Sequence, residues 1–216
     1  MIRLAISSIR LRRTIVATAA AGLAVAGMVI AVPSASAAPD ASILATYPVN
    51  GTTTIASTNS SMTLGPGTLA ATLDIATENF TANLDLPPAT GTFTELGFVP
   101  VTATTEFIQN GPTTGKDVNG GIQSTSSIII KLTDVKVAGI DVPVGDKCET
   151  SPATINLTSE AGFNVLLGGN ISGTYTIPSF SNCGFSTFII NAIIPGSGNT
   201  IALTLGKPTV TVPPSS

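Results

Sequence analysis

Histidine and tryptophan are absent from this 216-residue sequence, and arginine is absent after residue 13. Each absence closes a class of chemistry. Without an imidazole there is no Ser-His-Asp or Cys-His activation of a nucleophile, and no histidine-bound metal. Phosphoryl transfer lacks its arginine clamp, and no Gly-x-x-x-x-Gly-Lys loop is present to cradle a phosphate. A Gly-x-Ser-x-Gly elbow is missing, as is any Ser-x-x-Lys pair after residue 37. Sugar-binding surfaces usually offer aromatic platforms, whereas Tyr47 and Tyr175 are the only tyrosines here. No cofactor is expected.

The arginines that do occur, Arg3, Arg10, Arg12 and Arg13, precede an apolar run from Ile15 to Val32. Ala35-Ser36-Ala37 then supplies the small-x-small pattern of a signal-peptidase site. Residues 1–37 are therefore expected to be a cleaved leader, cut after Ala37, with Ala38 as the alternative. Leu11 stands where a twin-arginine signal has a polar residue, which favours the general secretory route. After cleavage the chain keeps five lysines and all twelve carboxylates, a net charge of −7. That balance argues against nucleic acid and anionic lipid as partners, since both require basic patches. Residues 38–212 fit one domain, large enough to bury about 70% of its unfolded surface, and residues 213–216 are a polar stub. The chain is expected to be secreted or loosely associated with the cell envelope, with no membrane-spanning segment once the leader is gone.

Two cysteines in an exported chain read as one disulfide, Cys148–Cys183. Closing a loop of that length is worth about 3.8 kcal/mol in the chain-entropy model. No histidine, and after the leader no arginine, is present to activate either thiol.

Hydrophobicity alternates with period two along most of the chain. Leu69, Ala71, Leu73 and Ile75 oppose Thr68, Thr72 and Asp74; Phe80, Ala82, Leu84 and Leu86 oppose Asn79, Thr81, Asn83 and Asp85. A polar break at Thr77-Glu78 joins these runs as a hairpin. Similar runs lie at 43–49, 99–107, 153–158, 171–177, 201–205 and 210–212. In Ser124–Ile140 the apolar face switches from Ile128, Ile130 and Leu132 to Val135 and Val137, which places a β-bulge at Thr133-Asp134. Turn signals recur at Gly65-Pro66-Gly67, Pro87-Pro88, Asn110-Gly111-Pro112, Asn119-Gly120-Gly121, Gly168-Gly169-Asn170 and Pro195-Gly196. The expected fold is all-β: a single antiparallel β-sandwich or barrel-like domain of about nine to eleven strands with one disulfide.

Little of the remaining chemistry is specific. Asp74 and Asp85, on the polar faces of the hairpin, are the carboxylate pair a glycosidase would need. Solvated side chains are the simpler reading. Asp141, Asp146 and Glu149 could contribute oxygens to calcium, but their spacing matches no known loop and Lys147 sits among them. The oiliest stretch after the leader, Ser181–Leu205, is broken at Pro195-Gly196 and is too short to span a bilayer as a helix. Phe185, Phe188, Ile189, Ala192 and Ile193 fit a helical stripe, yet the isoleucine content and short length favour a buried strand ending at Ile194.

The stretches YPVNGTTTIA, LPPATGTFTELGFVPVTATTEF and CGFSTFIINAIIPGSGNTIALTLGKPTV resemble small, β-rich secreted proteins of high-GC Gram-positive bacteria. The resemblance implies export from an actinomycete-type cell and an all-β fold, and it carries no catalytic or binding residues. Two functions are then in play. The leading one is a non-enzymatic surface-interaction or structural protein with a protein or envelope partner. The alternative is a binder of an apolar ligand such as a lipid, with Phe107, Phe163, Phe180, Phe185, Phe188 and Ile190 lining a cleft; packing of those six in a solid core is the simpler reading. Intact-mass analysis of the exported protein should place the N-terminus at Ala38 and find no reactive thiol; a mass that retains the leader would overturn that processing.

Overall fold

The structure, a computed structural model, describes residues 42–212. The leader, both cleavage positions Ala37 and Ala38, and the stub at 213–216 lie outside the described residues. The chain forms β1 (Ser42–Ile55), β2 (Ser60–Asp74), β3 (Asn79–Asp85), β4 (Ala89–Glu95), β5 (Val99–Gln109), β6 (Thr113–Val118) and β7 (Gly121–Val137). It continues through β8 (Ile140–Asp141), β9 (Glu149–Thr150), β10 (Ala153–Ser159), β11 (Gly169–Ile177), β12 (Phe180–Ser181), helix α1 (Thr187–Ile193), β13 (Gly196–Leu205) and β14 (Thr209–Thr211). Ten strands have six residues or more; the other four are short edge pieces.

The strands close into an antiparallel barrel eight strands around. Two of its eight positions are each filled by two strands end to end. β3 runs into β4 across Pro87-Pro88, and both pair with β2. β5 runs into β6 across Asn110-Gly111-Pro112, and both pair with β7. The ring is completed by β10, β11, β13 and β1, with β1 returning to β2 over their whole length. Proline accounts for the first interruption, because it has no N–H to give to the ladder. The Asn119-Gly120 turn between β6 and β7 has both residues at positive φ, as a two-residue hairpin turn requires.

Alternation sorts the side chains. Val49, Leu64, Ile130, Leu132, Ile155, Tyr175, Ile201 and Leu203 face the interior and are buried, while Thr52, Thr92, Thr125, Thr158 and Thr200 face out. This is the inverse of a lipid-embedded barrel, whose apolar residues point outward. Two irregularities keep the pattern in phase. Thr105 pairs with Leu132 and Thr104 with Asp134, so Thr133 is the extra residue of the bulge expected there. The second sits at Gly65-Pro66-Gly67, which is no turn. It lies inside β2, where the pairing jumps from Val49–Gly67 to Gly51–Leu64 and the inward set changes from Met62 and Leu64 to Leu69, Ala71 and Leu73. Gly65 has φ of +90°, and a Cβ there would stand 2.6 Å from the Val49 carbonyl oxygen, which only glycine avoids.

The two interrupted positions leave a gap in the wall where neither pair of strands supplies backbone partners. The Gln109 side chain fills it. Its Oε1 accepts from the Leu84 N–H at 2.8 Å, and its Nε2 donates to the Ala82 carbonyl at 2.9 Å and to Thr113 Oγ1 at 3.0 Å. Thr113 in turn shares a hydrogen bond with the buried Ser126. One amide thus replaces one peptide group of the missing ladder. Gln109→Leu should orphan the Leu84 N–H and Ala82 carbonyl and cost about 2–4 kcal/mol, read as a lower midpoint in urea unfolding. Gln109→Glu keeps the acceptor but loses the donor when ionised, so its deficit should be largest at neutral pH and shrink as the carboxyl protonates. An unchanged midpoint in both variants would contradict this role.

Candidate functional site

The two ends of the barrel differ. One is closed by α1 and the 3-10 turn Gly184–Ser186 that precedes it. Ile190 is buried against the core and Ile194 packs on it. Asn191 fastens the helix to β12, donating from Nδ2 to the Phe180 carbonyl at 2.9 Å and accepting the Phe180 N–H at 2.7 Å. Ser186 Oγ donates to the Pro143 carbonyl, and Ser57 Oγ to that of Ile194, so the segment is tied on both sides. The Cys148–Cys183 disulfide, both of whose residues are fully buried, anchors its entrance to the loop beside β7.

The segment from Phe185 to Ile194 is therefore not the buried strand that its isoleucines suggest. Packing decides between the two periodicities. At this end the barrel wall is already complete, with β11 and β13 pairing from Gly196 onward, so an added strand would find no ladder. A short helix satisfies its own backbone and needs to bury only Ile190.

The six residues named as a cleft lining under the alternative reading do not come together. Phe107 and Phe180 border a space of about 40 Å³ under α1, together with Met62, Phe93, Tyr175 and Ile194. That is room for a water or two and for no ligand. Ile190 is core. Phe185 and Phe188 point into solvent. Phe163 alone borders a cavity of ligand size, and it does so at the other end.

That other end is open. A cavity of about 290 Å³ enters the barrel there. Its walls are Ile43, Ala45 and Tyr47 of β1, Leu69, Ala71 and Leu73 of β2, Phe80 of β3, Ile122 of β7 and Leu205 of β13. Phe163, Val165 and Leu166, in the loop between β10 and β11, arch over one side, and Ile75 and Val210 stand at the rim. The cavity exists because this end pairs Ala45 with Ala71 across β1 and β2, where larger side chains would meet. Among the described lining residues Tyr47 carries the only polar side chain, and its hydroxyl is committed: it donates to the Val165 carbonyl at 2.7 Å and holds the arch in place. The residues Leu69, Ala71 and Leu73 were legible as the apolar face of a hairpin. Nothing in their alternation says that the space they face is left unfilled.

The carboxylate candidates are not assembled. Thr68 pairs with Asp85 and Leu73 with Phe80, which puts Asp74 and Asp85 at opposite ends of the hairpin, about 20 Å apart. Asp74 instead sits within its own turn, where the Thr77 hydroxyl first, and then the N–H groups of Thr77 and Ala76, hold its carboxyl below the usual range. Asp141 pairs with Lys136 at 2.6 Å. Among the described residues, no group of three His, Cys, Asp or Glu side chains is placed to hold a metal ion. Nor is any helix among them long and apolar enough to cross a membrane. A broader, open furrow on the outer wall is lined mostly by polar side chains, among them Thr72, Asp74, Thr81, Lys116, Thr125 and Asn156. No protein-family model, curated protein or solved structure matches this chain.

Burial raises the pKa of Tyr47, and of Tyr175 despite its hydrogen bond with Thr53, above the ordinary value of 10.0. A raised folded-state value means the stabilisation is complete below pH 10 and is lost as the pH climbs through the folded-state value. Stability measured by urea should therefore fall above about pH 10. Tyr47→Phe and Tyr175→Phe should each flatten that decline, and equal slopes in parent and variants would contradict the burial of these hydroxyls.

Proposed function

We propose that this protein is an exported, non-enzymatic binder of an apolar ligand, taken into the open mouth of the barrel. The observation that carries the reading is the cavity itself: about 290 Å³, walled almost entirely by aliphatic and phenylalanine side chains, and open at a rim where Ile75, Leu166 and Val210 reach solvent. Its volume lies near the lower limit of small-molecule sites, about 300–1,000 Å³. That suits one medium-length acyl chain or a small isoprenoid and excludes a whole phospholipid. β-Barrel mouths are recurrent places for such ligands because closure leaves a ready-made apolar well.

The chemistry of the lining supports binding over turnover. Tyr47 holds the arch, and among the described residues no carboxylate, lysine or cysteine enters the cavity wall. The ligand would keep any polar head at the rim, where Glu160 and Lys207 flank the cavity loop and β13 in sequence. Export through the leader, from an actinomycete-type cell as the resemblance suggests, would place this binder outside the membrane. A contact role has separate support in the exposed phenylalanines of the closed end.

Native mass spectrometry of the exported protein, titrated with saturated fatty acids and alcohols of increasing length, tests the reading. A single saturable adduct is expected, with affinity rising and then levelling as the chain outgrows the well. Ala71→Trp fills the cavity and should weaken that adduct about tenfold or more, equivalent to about 1.4 kcal/mol. No adduct in the parent, or undiminished uptake in a folded Ala71→Trp variant, would overturn it.

A further inference from the structure

The closed end carries the most exposed apolar side chains of the described residues, and none of them lines the cavity. Phe185 is fully exposed, Phe188 is 84% exposed and Ile189 61% exposed. They project from the 3-10 turn and the first turn of α1, one continuous disulfide-anchored segment rather than a loose loop. The register places two more apolar tips at the same end. Val101 pairs with Val137, so the β4–β5 turn with Phe98 stands beside the β7–β8 turn with Ile140, and these residues are 76% and 72% exposed. An isolated exposed aliphatic residue needs no explanation, but phenylalanines grouped on two elements at one end do.

We infer that this end docks on the surface of an uncharged or zwitterionic lipid bilayer, with Phe185, Phe188 and Ile189 set among the headgroups. Charge selects that occupant. The chain has no charged side chain between Glu160 and Lys207, so α1 enters the interface without stripping water from an ion. On the strands and loops nearest this end, Glu95 of β4, Asp134 of β7, Asp141 of β8, Asp146 and Glu149 outnumber Lys131 and Lys136 of β7 and Lys147. That balance repels anionic lipid and matches the outward-facing ammonium groups of choline and ethanolamine headgroups. The shape agrees: turns and a helix project as separate tips, which suits entry between lipids, where aromatic rings collect at the interface. Docked in this way, the barrel stands on its closed end with the open mouth turned away from the membrane. The inference does not depend on what the cavity holds.

Flotation of the exported protein with phosphatidylcholine vesicles is the test. The parent should partition onto them, and replacing part of the lipid with phosphatidylglycerol should weaken the binding. The double variant Phe185→Ser/Phe188→Ser, altered only at exposed positions, should keep its thermal midpoint and bind about 100-fold more weakly. Leu166→Ser/Leu167→Ser, at the opposite end, should bind like the parent. The proposal is overturned if the parent stays with the buffer, if the phenylalanine variant binds as tightly, or if the leucine variant is the one that loses binding. It is equally overturned if sedimentation shows a parent dimer that the phenylalanine variant abolishes without any vesicle binding, which would assign the face to a second copy of the chain.

Discussion

Closure of a single hydrogen-bonded ring governs the architecture of this molecule. A strand with a free edge needs a cover, and a sheet with one apolar face needs a second layer. Here β1 pairs with β2 on one side and β13 on the other, which removes both needs at once. The weak place in the ring is where β3 gives way to β4 and β5 to β6. Gln109 closes it with the donor and acceptor that a peptide group would have offered. The buried Thr113 and Ser126 then have their hydroxyls paired beneath that amide, and the described residues contain no buried side-chain polar atom without a partner.

Once the ring is closed, inside and outside follow from alternation, and the two ends are what remain to be settled. At one end the chain folds α1 back over the core and fixes it at several points: the disulfide, the Asn191 pair of bonds to Phe180, and serine bonds on either flank. At the other it does less. Two alanines face each other across β1 and β2, the loop carrying Phe163 arches over one side only, and Tyr47 is the strut beneath it. The difference between a packed end and a hollow one is thus a matter of side-chain volume at a few positions on an otherwise regular wall.

Much of the fold was legible in the sequence, for reasons that differ from element to element. The β2–β3 hairpin is plain because its turn is polar and both its strands alternate. The bulge at Thr133 is plain because a change of face in a continuous strand has few other causes. Gly65-Pro66-Gly67 was misleading because glycine and proline mark any departure from a regular ladder, and a mid-strand irregularity uses the same residues as a turn. The helix at Thr187–Ile193 was hidden by its isoleucines, whose strand preference yields where the wall offers no partner. The site was less legible than the fold. Phe163 borders the cavity, but the phenylalanines grouped with it went to the core, to a second space and to the surface. Whether an apolar face meets another side chain or a void depends on its partner across the barrel, and alternation along one strand does not carry that information.

The central claim is that the apolar space at the open end is a binding site and not a packing defect. A crystal structure of the protein soaked with a fatty acid brominated at its methyl end tests it most directly, through the anomalous signal of the bromine. The account predicts one peak inside the barrel mouth, bounded by Ala71, Phe80, Phe163 and Leu205. A mouth that stays empty while bromine collects elsewhere on the molecule, or nowhere, would contradict it.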